Sequence, residues 1–483
     1  MRLLFTLSAF LLFGSLSAQD SNSPSSYNIT VEIDGFADTA LYLANYYMDK
    51  QYIVDTAAYV DGKAVFSGAE PLKEGTYLLV LPPDNNYAQL LIDGDQDFSL
   101  KTDVGELTGK MKVSGSAENE LFYDYLQFLS AKRPEAERLR TLRSDSTQSE
   151  KVRAEATAAA DAVDASVEAK QELIQTKHPK TITAAILRSM KDPQIPEFEG
   201  SDAEQQNQRY LWYKEHYFDN VDLGDPRSIR STFMDQRISY YMDKLVVPAP
   251  DSLIKEIDYL LEQMKPAEET FRQYTSKFLN QFASSKIVGQ DAIYIHIAEK
   301  YYMGGQTPWV DSTTLAKIAD NVKSVKPLLI GKKAPPLELL DRNEKPWSLY
   351  EDDANFTVLF FYDPECGYCK KQTPFVVEFA KKYKEKGVKV VSICSKFAPD
   401  KADCWEYVDE KDGMNDILYN LYDPYHRSRF KITYNVTSTP QVYVLDKDKM
   451  IVSKKIAGDQ LDDVVSRLIE LMEKEEIENG AGD

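Results

Sequence analysis

The sequence predicts a multidomain chain made of an N-terminal all-β, sandwich-like domain, a central α-helical domain and a C-terminal α/β domain. Apolar and polar residues alternate in short runs over 27–116, whereas apolar residues repeat at helical spacing over 117–326. Over 327–476, strand and helix patterns alternate, which is typical of a parallel sheet with crossover helices. The chain has 483 residues, enough for several domains, and 477–483 is predicted to be a disordered tail.

The first residues have the layout of a secretory signal peptide. Arg2 precedes an apolar run that ends at Leu16, and small residues follow it. We therefore expect 1–18 to be removed by cleavage after Ala18, with cleavage after Ser17 as an alternative, and the mature protein to be exported. An uncleaved membrane anchor is a further interpretation, but the apolar run is short for a bilayer span. We expect no membrane span once the signal peptide is removed.

The charge balance argues against nucleic-acid binding. The formal net charge is −20 at pH 7, so the electrostatic field of the chain repels phosphate backbones and anionic membranes. We interpret the acidic surface as a source of solubility rather than as a binding site.

The N-terminal region contains short runs rich in β-branched and aromatic residues, separated by turn residues. Such spacing indicates a small sandwich or barrel. The segment VDGKAVFSG is predicted to form a hairpin with Asp61 and Gly62 at its turn. No cluster of side chains in this region has a catalytic pattern.

The helical region combines an alanine-rich, charged stretch, which predicts an exposed helix, with several aromatic runs. We interpret the aromatic residues as core or interdomain surface rather than as a ligand site. His178, His216 and His296 have no cysteine or paired carboxylate at metal-ligand spacing, so we expect structural or surface roles for all three and no metal site.

The C-terminal region contains a strand, helix and strand pattern. The run TVLFFYD predicts a buried strand, and VKVVSICS predicts a second one. Between them we expect a helix from Cys366 to Lys386, with the side chains of Phe375, Phe379 and Tyr383 facing inward. Together they form a βαβ unit, which implies parallel strands and a right-handed crossover. Two more strands and a closing helix are predicted to follow.

Two of the four cysteines, Cys366 and Cys369, lie where the first of these strands meets the helix. The unpaired N–H groups and the dipole at a helix N-terminus favour a thiolate, which lowers the pKa of a cysteine there. Two intervening residues let the second sulfur reach the first within one helical turn. We therefore predict that Cys366 attacks a disulfide and that Cys369 resolves the mixed disulfide.

Further interpretations of these cysteines stay open. A zinc site would need Cys394 and Cys404 as additional ligands, but their spacing matches no common zinc motif. The CxxC is also compatible with a purely structural disulfide or with a peroxidase-type cysteine. For Cys394 and Cys404 three roles stay open: a second disulfide, free buried thiols, or a relay that exchanges electrons with the CxxC. Four cysteines can be paired in three ways, and the sequence alone does not select one of them.

The C-terminal region resembles the thioredoxin superfamily, and more closely its exported TlpA/ResA-like branch. The resemblance rests on GKKAPPLELLD, VLFFYDPECGYC, the helix residue Pro374 and TSTPQVYVLD, and it extends from Lys326 to Glu476. It implies a thioredoxin fold and thiol–disulfide oxidoreductase activity without a metal or organic cofactor. The β-rich and helical regions resemble domains that precede thioredoxin modules in exported proteins of Gram-negative bacteria, which implies a location in the periplasm. The implied partners are client proteins with disulfides and an unidentified electron donor.

The resemblance also implies which residues contact the client. Thr439 and Pro440 would be joined by a cis peptide bond in a loop facing the CxxC, and their backbone would pair with an extended client segment. Gly367 and Tyr368, between the two cysteines, complete the predicted substrate-binding residues. These two residues, with threonine before the proline, are similar to the redox elements of Dsb-type disulfide isomerases.

The sequence departs from this family at the residues that handle protons. The positions six residues before and six residues after Cys366 carry Phe360 and Gln372, where thioredoxin has a carboxylate and the ResA-like branch often has a glutamate. Glu365 is the nearest carboxylate in the sequence, but one so close would also raise the thiol pKa.

We favour a reductase, with an isomerase as the second choice. A hypothesis of another class is a non-enzymatic binding or assembly protein with a vestigial redox domain. The intact combination of Cys366, Cys369 and Pro440 argues against it, because a lapsed redox domain would be free to lose any of the three. The sequence leaves a homo-oligomer open.

Overall fold

The computed structural model describes residues 26–398 and 400–480, with side chains up to Leu471. The predicted signal peptide, 1–18, lies outside the described residues. The chain divides into two compact units between Tyr241 and Met242. The helical region 117–326, which the sequence suggests is one domain, is therefore shared between the two units. Across the described residues, no helix combines the length and the apolar character needed to cross a bilayer.

The first unit begins with a sandwich of two four-stranded sheets, as the alternating sequence pattern predicts. One sheet has the order β4-β1-β7-β8 and the other β3-β2-β5-β6. The facing apolar side chains, among them Ile29, Leu43 and Leu79, are fully buried between them. The strands are β1 (Tyr27–Asp34), β2 (Ala40–Tyr47), β3 (Lys50–Ala58), β4 (Lys63–Gly68), β5 (Gly75–Leu81), β6 (Asn86–Ile92), β7 (Asp97–Asp103) and β8 (Lys112–Ser114).

The predicted hairpin at Asp61 and Gly62 forms only at its turn. Both residues have positive φ, 51° and 80°, as a two-residue turn of this kind requires. Beyond the bridge between Val60 and Lys63 the strands separate, because β3 pairs with β2 whereas β4 pairs with β1 in the other sheet. The predicted turn is confirmed, but the expectation that its two arms pair with each other was wrong, because the turn joins the two layers of the sandwich.

Five helices follow in the first unit, and the first of them packs on the sandwich. The fully buried Asn119 side chain makes two hydrogen bonds with the backbone of Leu91: it accepts from the N–H and donates to the carbonyl oxygen. The alanine-rich stretch forms a long helix with few buried side chains, as predicted. The helices are α1 (Ala117–Ser144), α2 (Glu150–Lys177), α3 (Ile182–Ser189), α4 (Asp202–Glu215) and α5 (Met234–Tyr240).

The second unit begins with four helices, α6 (Pro250–Met264), α7 (Glu268–Ala283), α8 (Asp291–Ile297) and α9 (Ser312–Val325). Asp258 on α6 accepts hydrogen bonds from His296 on α8 and from the hydroxyl of Tyr301, and forms an ion pair with Lys300. His296 therefore has a structural partner, as does His216, whose ring lies 2.7 Å from the Asp219 carboxylate in the first unit.

The second unit ends in a seven-stranded mixed sheet of order β10-β9-β13-β12-β11-β14-β15. The central strands β11 and β12 are parallel, as the βαβ prediction requires, and β14 is antiparallel to β11. The strands are β9 (Glu338–Leu340), β10 (Pro346–Ser348), β11 (Phe356–Tyr362), β12 (Val388–Cys394), β13 (Tyr419–Tyr422), β14 (Gln441–Leu445) and β15 (Ile451–Lys454), and the helices are α10 (Gly367–Tyr383), α11 (Lys401–Glu410), α12 (Met414–Ile417), α13 (Phe430–Thr433) and α14 (Leu461–Gly480).

In the middle of helix α10, the buried side chains differ from those predicted. Phe379 and Tyr383 are buried, but the buried stripe passes through Val376, one position along from Phe375. Phe375 is 50% exposed, so its predicted inward orientation was wrong. At the end of the chain, α14 continues to Gly480, and the tail predicted for 477–483 is thus helical over 477–480.

Candidate active site

The two CxxC sulfurs lie at the junction between β11 and α10. Cys366 is the N-cap of α10, and its Sγ accepts a hydrogen bond of 3.1 Å from the backbone N–H of Cys369. Cys366 is half-buried, whereas Cys369 is completely buried inside the first turn of the helix. Both are free thiols. The site thus presents one sulfur at the surface with the other directly behind it.

The two thiols differ in pKa because their sulfur atoms have different surroundings. Burial raises the pKa of the Cys369 thiol to about 12, and the neighbouring Cys366 sulfur adds to the effect. Burial also opposes ionisation of Cys366, but hydrogen bonds from the Cys369 thiol, the Cys369 N–H, the Thr439 side chain and the Tyr368 N–H outweigh it and lower its pKa. Cys366 is therefore the thiol that ionises first.

The loop before β14 lies against the CxxC. The peptide bond between Thr439 and Pro440 is cis, and the Cys366 thiol donates to the Thr439 carbonyl oxygen at 3.3 Å. The loop reaches the site because β14 runs antiparallel to β11, which places its first residue, Gln441, opposite Phe361 near the end of β11. Tyr368 is 53% exposed beside it.

Four polar residues around the CxxC loop were not proposed from the sequence. Asp363 accepts hydrogen bonds from the Ser395 hydroxyl at 2.8 Å and from the Glu365 N–H at 2.9 Å. Lys396 pairs with the Glu365 carboxylate at 2.5 Å. The fourth is Thr373, whose hydroxyl is buried 2.8 Å from the Tyr407 hydroxyl. Ser395 and Lys396 directly follow the strand β12, and this position at the carboxyl edge of a parallel sheet was the available signal.

The residues at the two family proton-handling positions are buried. Phe360 is fully buried in β11 and stacks on Tyr362. Gln372 is also buried, and its side-chain oxygen accepts a hydrogen bond from the Asp459 N–H at 3.3 Å. The Glu365 side chain is 77% exposed and engaged by Lys396.

Cys394 and Cys404 form a disulfide with a Cα–Cα distance of 5.9 Å. Cys394 is the last residue of β12, Cys404 lies in α11, and both are buried. The bond holds α11 against the edge of the sheet that carries the CxxC. Because these two sulfurs are bonded to each other, they cannot join Cys366 and Cys369 as ligands of a zinc ion.

Three known families match separate parts of the chain. Residues 329–468 match the Redoxin family. Residues 27–122 match a domain of unknown function, DUF4369, and residues 162–327 match another, DUF5106.

Curated relatives match the C-terminal region. The thiol–disulfide oxidoreductase ResA of Bacillus anthracis is 31% identical over 134 residues, which cover 27% of this chain and 71% of the relative. A ResA of Bacillus cereus is 32% identical over 141 residues with the same coverage. The chain belongs to the ResA-like thiol–disulfide oxidoreductases of the thioredoxin superfamily.

Solved structures of this superfamily also match the oxidoreductase. A domain of a possible thiol-disulfide isomerase from Cytophaga hutchinsonii is 34% identical, with a TM-score of 0.28. The match covers 31% of this chain and 98% of the Cytophaga chain. A thioredoxin-like protein from Bacteroides caccae is 20% identical, with a TM-score of 0.44, and covers 56% of this chain and 96% of its own.

The two thiols of this oxidoreductase should react with iodoacetamide in different pH ranges. Since only the thiolate is alkylated, Cys366 should be labelled with a midpoint at lower pH than an ordinary cysteine thiol, because its pKa is lowered. Cys369 should stay unlabelled until far higher pH, because burial raises its pKa to about 12. Mass spectrometry of the reduced protein across a pH series measures both. Cys369→Ala removes a hydrogen bond to Cys366 and should shift its midpoint upward; equal labelling of both thiols would contradict the assignment.

Removal of the second disulfide should weaken the fold without stopping disulfide exchange. A bond that closes a loop of 10 residues stabilises a domain by about 2–3 kcal/mol, so Cys394→Ala/Cys404→Ala should lower the unfolding midpoint in urea accordingly. Because this disulfide is separate from the CxxC, the rate of exchange by folded protein should be unchanged. A large loss of exchange with normal stability would instead favour the relay role.

Proposed function

We propose that the chain reduces disulfides in exported client proteins, with 327–476 as its redox domain. Cys366 is the attacking thiolate and Cys369 the resolving thiol. The observation that carries the proposal is the placement of Cys366 at the N-cap of α10, half-exposed and with a lowered pKa, in front of a buried Cys369. This arrangement supplies one accessible nucleophile and one protected thiol in reach of it.

In the first step the Cys366 thiolate attacks one sulfur of the client disulfide. A mixed disulfide forms between Cys366 and the client, and the second client sulfur leaves as a thiolate. Thr439 and Pro440 would align the client segment, since the Thr439 carbonyl lies 3.3 Å from the Cys366 sulfur. Gly367 and Tyr368 are exposed on the same surface and would complete the contact.

In the second step Cys369 attacks the Cys366 sulfur and releases the reduced client. The proton of Cys369 leaves to solvent as this thiol attacks, and each client thiolate takes up a proton from water. Because burial raises the pKa of Cys369 to about 12, its deprotonation is the costly part of this step. Formation of the Cys366–Cys369 disulfide supplies the client with two electrons. A dithiol donor must then return two electrons and two protons to the chain.

The reductase direction is supported by the kind of groups that stabilise the thiolate. The largest single influence on Cys366 is burial, which opposes ionisation, and the groups that lower its pKa are neutral donors rather than cations. In strongly oxidising members of this superfamily the reduced form is stabilised by a very low thiol pKa. Stabilisation by neutral donors rather than by cations therefore favours a reducing potential.

Export is supported by the signal-peptide pattern of 1–18, ahead of the three folded regions. Sequencing of the mature N-terminus from a periplasmic fraction should find Gln19 as the first residue. An intact Met1 would contradict cleavage.

The function is tested by comparing two assays on the mature protein. With a dithiol donor present, a reductase should reduce the disulfides of insulin catalytically, and it should recover little activity from scrambled ribonuclease. Efficient recovery of ribonuclease activity would instead support the isomerase, which Gly367, Tyr368 and the threonine before Pro440 favour. Absence of exchange in both assays would refute the enzymatic role.

A further inference from the structure

A cleft of about 250 Å³ lies between the segment that follows β12 and the segment that joins β13 to β14. We call it the basic cleft, and its lining includes Phe397, Asp423, His426, Arg429, Lys431 and Ile432. It lies among exposed side chains, since His426, Arg429, Lys431 and Ile432 are all exposed.

Two contacts place the basic cleft between the loops of the candidate active site. Phe397 lies two residues after Ser395, whose hydroxyl donates to Asp363 in the CxxC loop. On the opposite wall, the Lys431 carbonyl accepts from the N–H of Val436 at 2.9 Å, where the chain turns toward Thr439. A client segment aligned on the Thr439 loop therefore passes close to the cleft.

The cations of the cleft lack an acidic partner. The Lys431 ammonium lies 4.0 Å from the centre of the Phe397 ring, and burial lowers its pKa although Asp363 acts in the opposite direction. Among the described residues, no carboxylate forms an ion pair with Lys431 or Arg429.

The nearest carboxylates already accept hydrogen bonds. Asp423, in the cleft wall, accepts from the Arg427 N–H and from both the N–H and the hydroxyl of Ser428. Asp363, whose charge acts on Lys431, accepts from the Ser395 hydroxyl and from the Glu365 N–H. The two cations of the cleft therefore have a sign opposite to the net charge of the protein, −20.

We propose that the basic cleft binds an acidic side chain of the client, close in sequence to the cysteine that Cys366 attacks. The inference rests on the proposed function and names its substrate class: disulfides flanked by aspartate or glutamate. The partner is a peptide carboxylate, because the cleft has room for a side chain and offers the cations Lys431 and Arg429. The Phe397 ring is covered by Lys431 and by the stacked ring of His426, 3.4 Å away, so it holds the lysine in place rather than contacting the client.

The cleft also gives the enzyme a way to select clients despite its acidic surface. Opposite charges at the rim of an interface mainly raise the association rate and reject partners of the wrong charge. An acidic client would otherwise be repelled by a chain of this net charge.

The test uses a matched pair of disulfide peptides that differ only in two flanking residues, glutamate in one and glutamine in the other. The reduced mature protein should react with the acidic peptide about threefold to fivefold faster, the range expected for one exposed ion pair. The difference should shrink as salt is raised. Equal rates for the two peptides at low salt would overturn the proposal.

Charge reversal locates the effect. Lys431→Glu should remove or invert the preference, whereas Lys447→Glu should leave it unchanged. Lys447 is exposed in the turn after β14, at the opposite edge of the sheet from the CxxC, and supplies the same change in net charge. An identical response of the two variants would show that only net charge acts, and would overturn the assignment to the cleft.

A neutral substrate separates this proposal from the proposed function. All three proteins should react equally with 2-hydroxyethyl disulfide, which also confirms that the variants are folded. If none of them exchanges with this reagent, the proposed function itself fails. If all exchange with it but show no preference between the peptides, only the basic cleft proposal fails.

Discussion

Replacement of Cys366 by serine should abolish disulfide exchange, whereas replacement of Cys369 by serine should arrest it after the first step. Cys366 is the half-exposed sulfur with the lowered pKa, and Cys369 is buried behind it. Loss of the nucleophile should reduce the exchange rate by at least about a thousandfold. In Cys369→Ser the mixed disulfide has no resolving thiol, so it should accumulate.

Mass spectrometry after reaction with a disulfide peptide measures both outcomes. Cys369→Ser should carry one peptide, joined to Cys366, and Cys366→Ser should carry none. The Cys394→Ala/Cys404→Ala variant is the matched control, because it removes two cysteines outside the site and should behave as the parent protein. A peptide trapped on Cys369 in the Cys366→Ser protein would reverse the assigned roles.

Asp291→Asn should destabilise the second unit strongly. The Lys454 ammonium in β15 is buried, forms an ion pair with Asp291 at the start of α8 and donates to the Leu328 carbonyl oxygen. Burial lowers the pKa of Lys454, and Asp291 opposes that effect. Removing the counter-charge leaves a buried cation, which costs about 3–5 kcal/mol.

The double variant distinguishes a compensated charge from simple packing. Lys454→Met alone leaves the Asp291 carboxylate unpaired and should also destabilise, but Asp291→Asn/Lys454→Met should recover most of the loss, because both charges are gone.

Urea unfolding followed by tryptophan fluorescence measures this cycle. Three of the four tryptophans, Trp309, Trp347 and Trp405, lie in the second unit. The exposed Lys447→Met is the control and should change the free energy of unfolding by less than about 0.5 kcal/mol. Additive losses in the double variant would contradict the pairing.

The parts of the fold predicted well were those with a strong local pattern. The continuous apolar runs of β11 and β12 and the helix between them required a parallel βαβ unit, and this prediction is confirmed. The position of Cys366 at a helix N-terminus followed from the same pattern. Both depend on residues close in sequence.

The parts that were missed depend on distant partners. Strands β9, β10 and β13 have three or four residues each and are specified by pairing at the sheet edge rather than by their own pattern. The turn at Asp61 was recognised, but which strand each arm joins is decided by core packing. Phe375 was predicted to face inward because the helix has two neighbouring apolar stripes, one through Phe375 and one through Val376. The two stripes are similar in apolar character, so the sequence does not show which one is buried.

The basic cleft was not predictable for the same reason. Phe397 and Lys431 are far apart in the sequence and meet only because β12 and the segment before β14 end at one edge of the sheet. Neither residue belongs to a motif that the sequence alone makes recognisable.

The reduction potential of the Cys366–Cys369 pair tests the central claim most directly. The mature protein is equilibrated in dithiothreitol buffers of known potential, and the fraction of disulfide is determined by thiol labelling. A reductase should have a potential near or below about −250 mV. A value of about −120 to −180 mV would contradict the reductase direction, and a pair that forms no reversible disulfide would contradict the enzymatic role itself.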